Sequence, residues 1–299
     1  MEIKSKKTGW PIVKVTTKDS YTLFGYYSEV PKLTATVVHL HGTGGSFYWN
    51  AFYPEITKAV NQVGFSYLAT SNRGSGIYEL ENGTKPLGVS LELFEDCLKD
   101  IDAWIEFALS KGTKYFILEG HSFGIGKATY YNAKGKYRNL IKGIIFLGTI
   151  GVYQTQQNYL KKKGIDPKVY LKEAQKLLEK KQPTAILNDP WGLAGYYPVS
   201  AQTYLNFFTP GSEMFKSTQM ATKEVGGYRY LIKVPLLWIL GDQIEKEYLF
   251  VPFKEAFDLV KKENPQVEIH QLKNCDHGLN NHESETAALI SNFLKKIKT

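Results

Sequence analysis

The stretch ILEGHSFGIGKATYY, from Ile117 to Tyr131, leaves a chain few ways to fold. Tyr115 to Leu118 are apolar without alternation, the pattern of a strand buried on both faces, and a helix-like pattern follows. Between the two, Gly120, Gly124 and Gly126 remove side chains where strand and helix must approach closely. Ser122 is left at the tip of the turn. Gly-His-Ser-Phe-Gly in this setting predicts a nucleophile elbow, a strained strand-to-helix turn that exposes a serine hydroxyl at the start of a helix.

The flanking sequence extends this plan. PIVKVTT and YTLFGYYSEV, on either side of Lys18-Asp19-Ser20, predict an antiparallel pair at a sheet edge. TATVVHLHGTGG and FSYLATSNRGSG are strands running into glycine-rich loops, with amphipathic helices predicted near Tyr53 to Val63 and within Leu91 to Leu109. IKGIIFLG continues the alternation. It stops between Ile150 and Lys233, where the chain is helical or irregular and punctuated by proline, with the clearest helix at Tyr170 to Lys180. It resumes with VPLLWILGD, a helix near Pro252 to Lys262, the strand VEIHQL and a closing helix from about Glu283 to Ile297. Strands alternating with helices predict an α/β fold with a mostly parallel sheet covered on both faces, interrupted by an insertion.

With 299 residues, 43% of them hydrophobic, the chain can bury a full core. The opening MEIKSKKTGW has no apolar run behind its charges, and no stretch of about 18 apolar residues occurs anywhere, so a soluble cytoplasmic protein with no membrane span is expected. Cys97 and Cys275 are too few for a disulfide framework or a zinc cage. The net charge of +8 would suit a nucleic-acid or membrane-surface partner if the basic residues were clustered, but along the sequence they look dispersed, and nucleic-acid binding is not expected.

A serine hydroxyl needs an imidazole to take its proton and an acid to orient that imidazole. C-terminal to the elbow, Asp242 follows the strand PLLWIL and His277 lies in the loop NCDHGLNNHE. In a parallel sheet such loops emerge at the same edge, so Ser122, Asp242 and His277 are the predicted catalytic residues. The loop HGTGG, His41 to Gly45, can approach a substrate with its main chain, and the amides of Thr43, or Gly44 if the loop is offset, and Phe123 are the predicted donors to a carbonyl oxygen that becomes negative. His39 and His41 are read as shaping that loop rather than binding metal, His121 as packing beside the elbow, and Arg73 as tying loops together.

On HLHGTGG, SNRGSG, GHSFG, LLWILGD and CDHGLNNHE the chain resembles the α/β-hydrolase superfamily, over nearly its whole length apart from the insertion. FEDCLKDIDAWIEF with HGTGGSFYWN is similar, more narrowly, to a microbial and fungal subgroup of serine-hydrolase-like proteins. The resemblance implies an α/β-hydrolase core of residues 1–150 and 231–299 and a helical cap of residues 151–230. It implies the triad too, with one departure. The family's acid comes three residues after the strand-ending glycine, which here is Ile244; Asp242 directly follows that glycine and Glu245 stands one place further on. Asp242 is preferred as the shorter and more easily fixed acid, and Glu245 is the alternative.

The expected activity is hydrolysis of a carboxylic ester, or of a thioester or amide, through an acyl-enzyme on Ser122, with no metal or organic cofactor. An acyltransferase using the same triad and a non-catalytic ligand-binding protein on the same fold are the rivals. The aromatics concentrated between residues 190 and 215 are mostly the insertion's own core, yet some must face the cleft. Trp191, Phe207 and Phe208 are the expected contacts to an apolar or aromatic small-molecule substrate. Oligomeric state is not legible.

Overall fold

Apolar runs without alternation place every second side chain on the opposite face of a strand. Val37, Ile117, Ile145 and Leu237 accordingly enter one core, and Val38, Leu118, Ile144 and Leu236 the other. A computed structural model describes residues 11–31, 35–79, 85–219, 227–243, 245–249 and 251–297; the opening ten residues and Ile244 lie outside it. Its strands are β1 (Ile12–Thr16), β2 (Thr22–Ser28), β3 (Ala35–Leu40), β4 (Ser66–Thr70), β5 (Tyr115–His121), β6 (Ile141–Leu147), β7 (Leu236–Leu240) and β8 (Val267–Gln271). They form one eight-stranded sheet in the order β1-β2-β4-β3-β5-β6-β7-β8. The hairpin β1–β2 joins the edge through an antiparallel β2–β4 pair, and every other pairing is parallel.

Helices cover both faces. Ile56 and Val60 of α1 (Tyr53–Gln62) and Ile290 and Phe293 of α10 (Glu283–Leu294) fill one core. Trp104 of α2 (Cys97–Ser110), Ile125 of α3 (Phe123–Lys134) and Val260 of α9 (Phe253–Glu263) fill the other. After β3 the chain steps to β4 on one side, and β5 then lies on β3's other side. The carboxyl ends of β3 and β5 therefore border a topological switch point, where a crevice opens in sheets of this kind.

Between β6 and β7 lie α4 (Val152–Lys163), α5 (Pro167–Glu179), α6 (Ala201–Phe208) and α7 (Glu213–Thr218), followed later by the short α8 (Lys246–Leu249) after β7. Asp166, Ser200 and Ser212 cap α5, α6 and α7 by accepting from backbone N–H groups. Phe207 of α6 meets Phe123 of α3 with ring centres 5.5 Å apart, so the insert shares a core with one face of the sheet.

Candidate active site

Ser122 occupies the turn between β5 and α3 with φ 53° and ψ −120°, a conformation costly for any residue but glycine. Main chains hold it there by contact. A Cβ on Gly124 would lie 1.9 Å from the Leu40 carbonyl oxygen, and one on Gly42 would meet the Ser122 Cβ at 3.0 Å. The elbow helix thus rests directly on the end of β3.

His277, in the loop after β8, lines the same cavity as Ser122. Its Nδ1 is 2.8 Å from Glu245 Oε1. The expectation that Asp242 would orient this imidazole is corrected by the geometry: Asp242 Oδ1 accepts instead from the Cys275 amide at 3.3 Å, bracing the histidine loop. A residue immediately after β7 lies against the neighbouring loop, whereas Glu245 stands further out and its longer side chain reaches back. Thr149, just beyond β6, donates its hydroxyl to Glu245 Oε2, so both oxygens of this fully buried carboxylate are engaged. Gly148 makes room for the pair, since a Cβ there would sit 3.1 Å from Glu245 Oε1 and 3.2 Å from His277 Nδ1; φ is 75° at this residue. The Trp238 indole N–H fixes the Gly148 carbonyl at 2.8 Å.

His277 lies between two rings, Tyr248 at 4.8 Å and His121 at 5.1 Å. His121 donates from Nε2 to the His277 carbonyl at 2.8 Å. Burial, then the neighbouring His277 charge, lower the His121 pKa to about 3, so this ring is a neutral support.

Of the two histidines expected to shape the glycine loop, one does. His41 Nδ1 donates to the Gly42 carbonyl at 2.7 Å, which leaves Nε2 to accept from the Ser75 hydroxyl at 2.8 Å and the Asn72 amide at 3.3 Å. Burial and the nearby Lys127 charge hold His41 well below the ordinary histidine range, in keeping with that neutral form. Asn72 Oδ1 in turn accepts from Lys127 Nζ of α3 at 2.9 Å, and Lys127 is paired with Glu92 at 2.5 Å. The loop is thereby tied to the elbow helix. His39 instead lies in the sheet core, bonded to Glu119 at 2.6 Å. Thr43 lines the cavity and Phe123 is the first residue of α3; the amides of neither make a hydrogen bond among the described residues. Arg73 joins Asp100, Asp19 and Asp96 and takes no part in the cavity wall. No three His, Cys, Asp or Glu side chains converge as a metal cage among the described residues.

The sequence profile of one family, Serine aminopeptidase, S33, matches residues 31–284. The chain belongs to that family. Its likeness to solved hydrolases spans nearly the whole chain at low identity. Monoglyceride lipase from Saccharomyces cerevisiae, as a soluble variant with a substrate analog, is 16% identical with a TM-score of 0.64, covering 100% of both chains. Est1E from Butyrivibrio proteoclasticus, with ferulic acid bound, is 15% identical with a TM-score of 0.62, covering 94% of this chain and 98% of that one. An esterase from Pyrococcus furiosus is 19% identical with a TM-score of 0.57, covering 97% and 92%. These likenesses establish the α/β-hydrolase fold. No curated protein matches the sequence significantly.

In this S33-family chain the cavity measures about 270 Å³. Gly42 to Gly45, Trp49 and Asn50 line one side, Thr149 to Val152 and Tyr248 another, and Leu193, Ala194, Tyr196 and Tyr197 close over them from the insert. The expected substrate contacts are not among them. Phe207 and Phe208 are 0% and 3% exposed inside the shared core, because their amphipathic helix turns Phe207 toward Phe123 of α3 and Phe208 toward Tyr153 of α4, and Trp191 is 53% exposed outside the cavity. The aromatic residues of the insert that do line it, Tyr196 and Tyr197, belong to an irregular loop with Leu193 and Ala194. Asp189 anchors that loop by accepting from the hydroxyls of Tyr159 (α4) and Tyr170 (α5), and Gln156 Oε1 accepts from the Ala194 amide at 2.5 Å. Ala194 and Gly195, with φ 54° and 84°, make the turn that brings Tyr197 against Gly44. The S33-family profile carries the fold, and this loop shapes the cavity.

Proposed function

We propose that this chain is a serine hydrolase that cleaves carboxylic esters through an acyl-enzyme on Ser122. The observation that carries the reading is a strained serine sharing one cavity with a histidine whose far nitrogen is held by a buried, doubly bonded carboxylate. In this reading His277 Nε2 takes the hydroxyl proton as Ser122 Oγ attacks the ester carbonyl carbon. The Thr43 and Phe123 amides receive the negative oxygen, and Glu245 stabilises the imidazolium. Collapse of the tetrahedral intermediate expels the alcohol with the proton from His277. Water then repeats the sequence on the acyl-enzyme and releases the acid. The insert acts as the cap.

An ester is favoured over a peptide N-terminus on electrostatic grounds. An aminopeptidase must hold its substrate's α-ammonium, for which a carboxylate is the natural partner, and among the described residues no aspartate or glutamate lines the cavity. Around Ser122 and His277 its walls combine the uncharged polar side chains of Thr43, Asn50, Thr149 and Thr155 with glycine backbone, aliphatic carbon and the rings of Trp49, Tyr196, Tyr197 and Tyr248, which suit a neutral substrate with an apolar or aromatic group. The test pairs a fluorophosphonate probe with two substrate sets. Labelling that disappears in Ser122→Ala, turnover of p-nitrophenyl esters and none of amino-acid p-nitroanilides is the expected result. Faster turnover of the anilides would replace the ester reading with aminopeptidase activity. An unlabelled, inactive folded protein would make this a binding protein.

A further inference from the structure

Much of the net positive charge is concentrated in one hairpin of the insert. Residues 161–181, the end of α4 and the whole of α5, hold eight lysines and three carboxylates, which accounts for five of the eight net positive charges. All eight lysines are exposed. The ion-paired lysines among the described residues are Lys99, Lys127, Lys136, Lys216, Lys254 and Lys296, and none of them lies in this hairpin. Of the three carboxylates, Asp166 caps α5 and Glu173 accepts from the Asn188 amide at 2.7 Å, leaving Glu179 on the helix.

Folding alone does not account for this arrangement. Lys161, Lys162 and Lys163 end α4, where cations complement the helix dipole. Lys168 and Lys172, however, stand in the first half of α5, at the wrong end of its dipole. With Lys176 they repeat every four residues, and Lys180 follows at the same interval; like charges so spaced destabilise a helix. The buried side of α5 carries Tyr170 and Ala174, so the lysine stripe is not needed to pack it.

The same hairpin holds the aromatic loop at the cavity mouth, through Tyr159 and Tyr170 on Asp189. That loop presents Trp191 and Tyr196 at 53% and 55% exposure, and Trp49 stands at the mouth at 67%. Exposed lysines outside any ion pair among the described residues, together with exposed tryptophan and tyrosine, combine the two features that seat a protein on an anionic lipid surface: charge attraction, and rings that settle among headgroups. A folded nucleic acid or an acidic protein would use the charge and leave the aromatic rim unexplained. We propose that the α4–α5 hairpin and the Trp191–Tyr196 loop form a peripheral docking surface for anionic lipid, with the cavity mouth facing the bilayer. This goes beyond the catalytic reading and does not depend on it.

Vesicle co-sedimentation tests it. The protein is expected to sediment with phosphatidylcholine vesicles containing about a third phosphatidylserine, to leave them at high salt, and to ignore pure phosphatidylcholine. Lys168→Gln, Lys172→Gln and Lys176→Gln together should lower partition roughly 100-fold, as about 1 kcal/mol per lysine implies. Trp191→Ser should lower it several-fold. Both variants should melt like the wild type, and Ser122→Ala should bind vesicles like the wild type, which separates this result from any failure of the catalytic reading. Equal partition of the triple variant, equal binding to neutral vesicles, or tighter binding to duplex DNA than to anionic vesicles would each overturn the proposal.

Discussion

At the sheet side of the cavity, polar side chains are buried and partnered: Glu245 between His277 and Thr149, His41 between Gly42 and Ser75, Lys127 between Glu92 and Asn72. On the insert side, the lining loop hangs from α4 and α5 by a few hydrogen bonds, and the lysines of that hairpin face water outside any ion pair among the described residues. Burial makes each contact on the first side costly to lose, because an unpaired polar group has no water to turn to. Exposure leaves the second side open to change. Chemistry and selectivity should therefore respond separately to substitution.

The sharpest way to break this contrast is at the acid. Glu245→Gln is expected to lower kcat by about three to four orders of magnitude, as loss of a triad carboxylate does, while Asp242→Asn stays within about tenfold of the wild type. Thr149→Val, measured in the same ester assay, should cost about tenfold, with activity restored in Thr149→Ser. If Asp242→Asn proved the severe change, the geometry around His277 would have been misread.

That acid marks the limit of what the sequence made legible. The elbow, the strand order's parallel core and the loop carrying His277 follow from local patterns, since glycine spacing and apolar runs act over a few residues. Glu245 does not, because its reach back to the imidazole depends on the path of the chain after β7. The signal the sequence does carry is Glu245 itself, one place beyond the family's acid position and one methylene longer than an aspartate. The cavity wall failed for a related reason. Aromatic density marked residues 190 to 215, but whether a ring faces a helix or a cleft is decided by packing, and Phe207 lies against Phe123.

Phe207 and Tyr197 sharpen the comparison further. Phe207→Ala should destabilise the fold by about 3–5 kcal/mol in chemical denaturation, without changing preference across a series of ester chain lengths. Tyr197→Ala should do the reverse, shifting chain-length preference at a stability cost of about 1 kcal/mol. A common effect of both on selectivity would mean that the insert moves as one body during turnover.

The last expected effect is one of pH. His121 titrates at about 3 in the folded protein, and in an unfolded chain near 6.5. Between those values the unfolded form binds the extra proton, so stability is full above about pH 6.5 and falls as the pH drops toward the folded value. His41, also held below its ordinary value, acts in the same direction. Urea denaturation at pH 7 and pH 5 should show a smaller difference in His121→Gln than in the wild type; an identical difference would remove His121 from the account.

The contact between Gly124 and the Leu40 carbonyl sets the separation of the elbow from the glycine loop by the thickness of two peptide backbones. No rotamer enters that distance, so thermal motion of side chains leaves it unchanged. Mutation has almost nothing there to vary. Diversification of a chain built in this way is channelled to the insert, where a changed ring alters what is admitted and leaves the spacing of Ser122 and the glycine loop as it was.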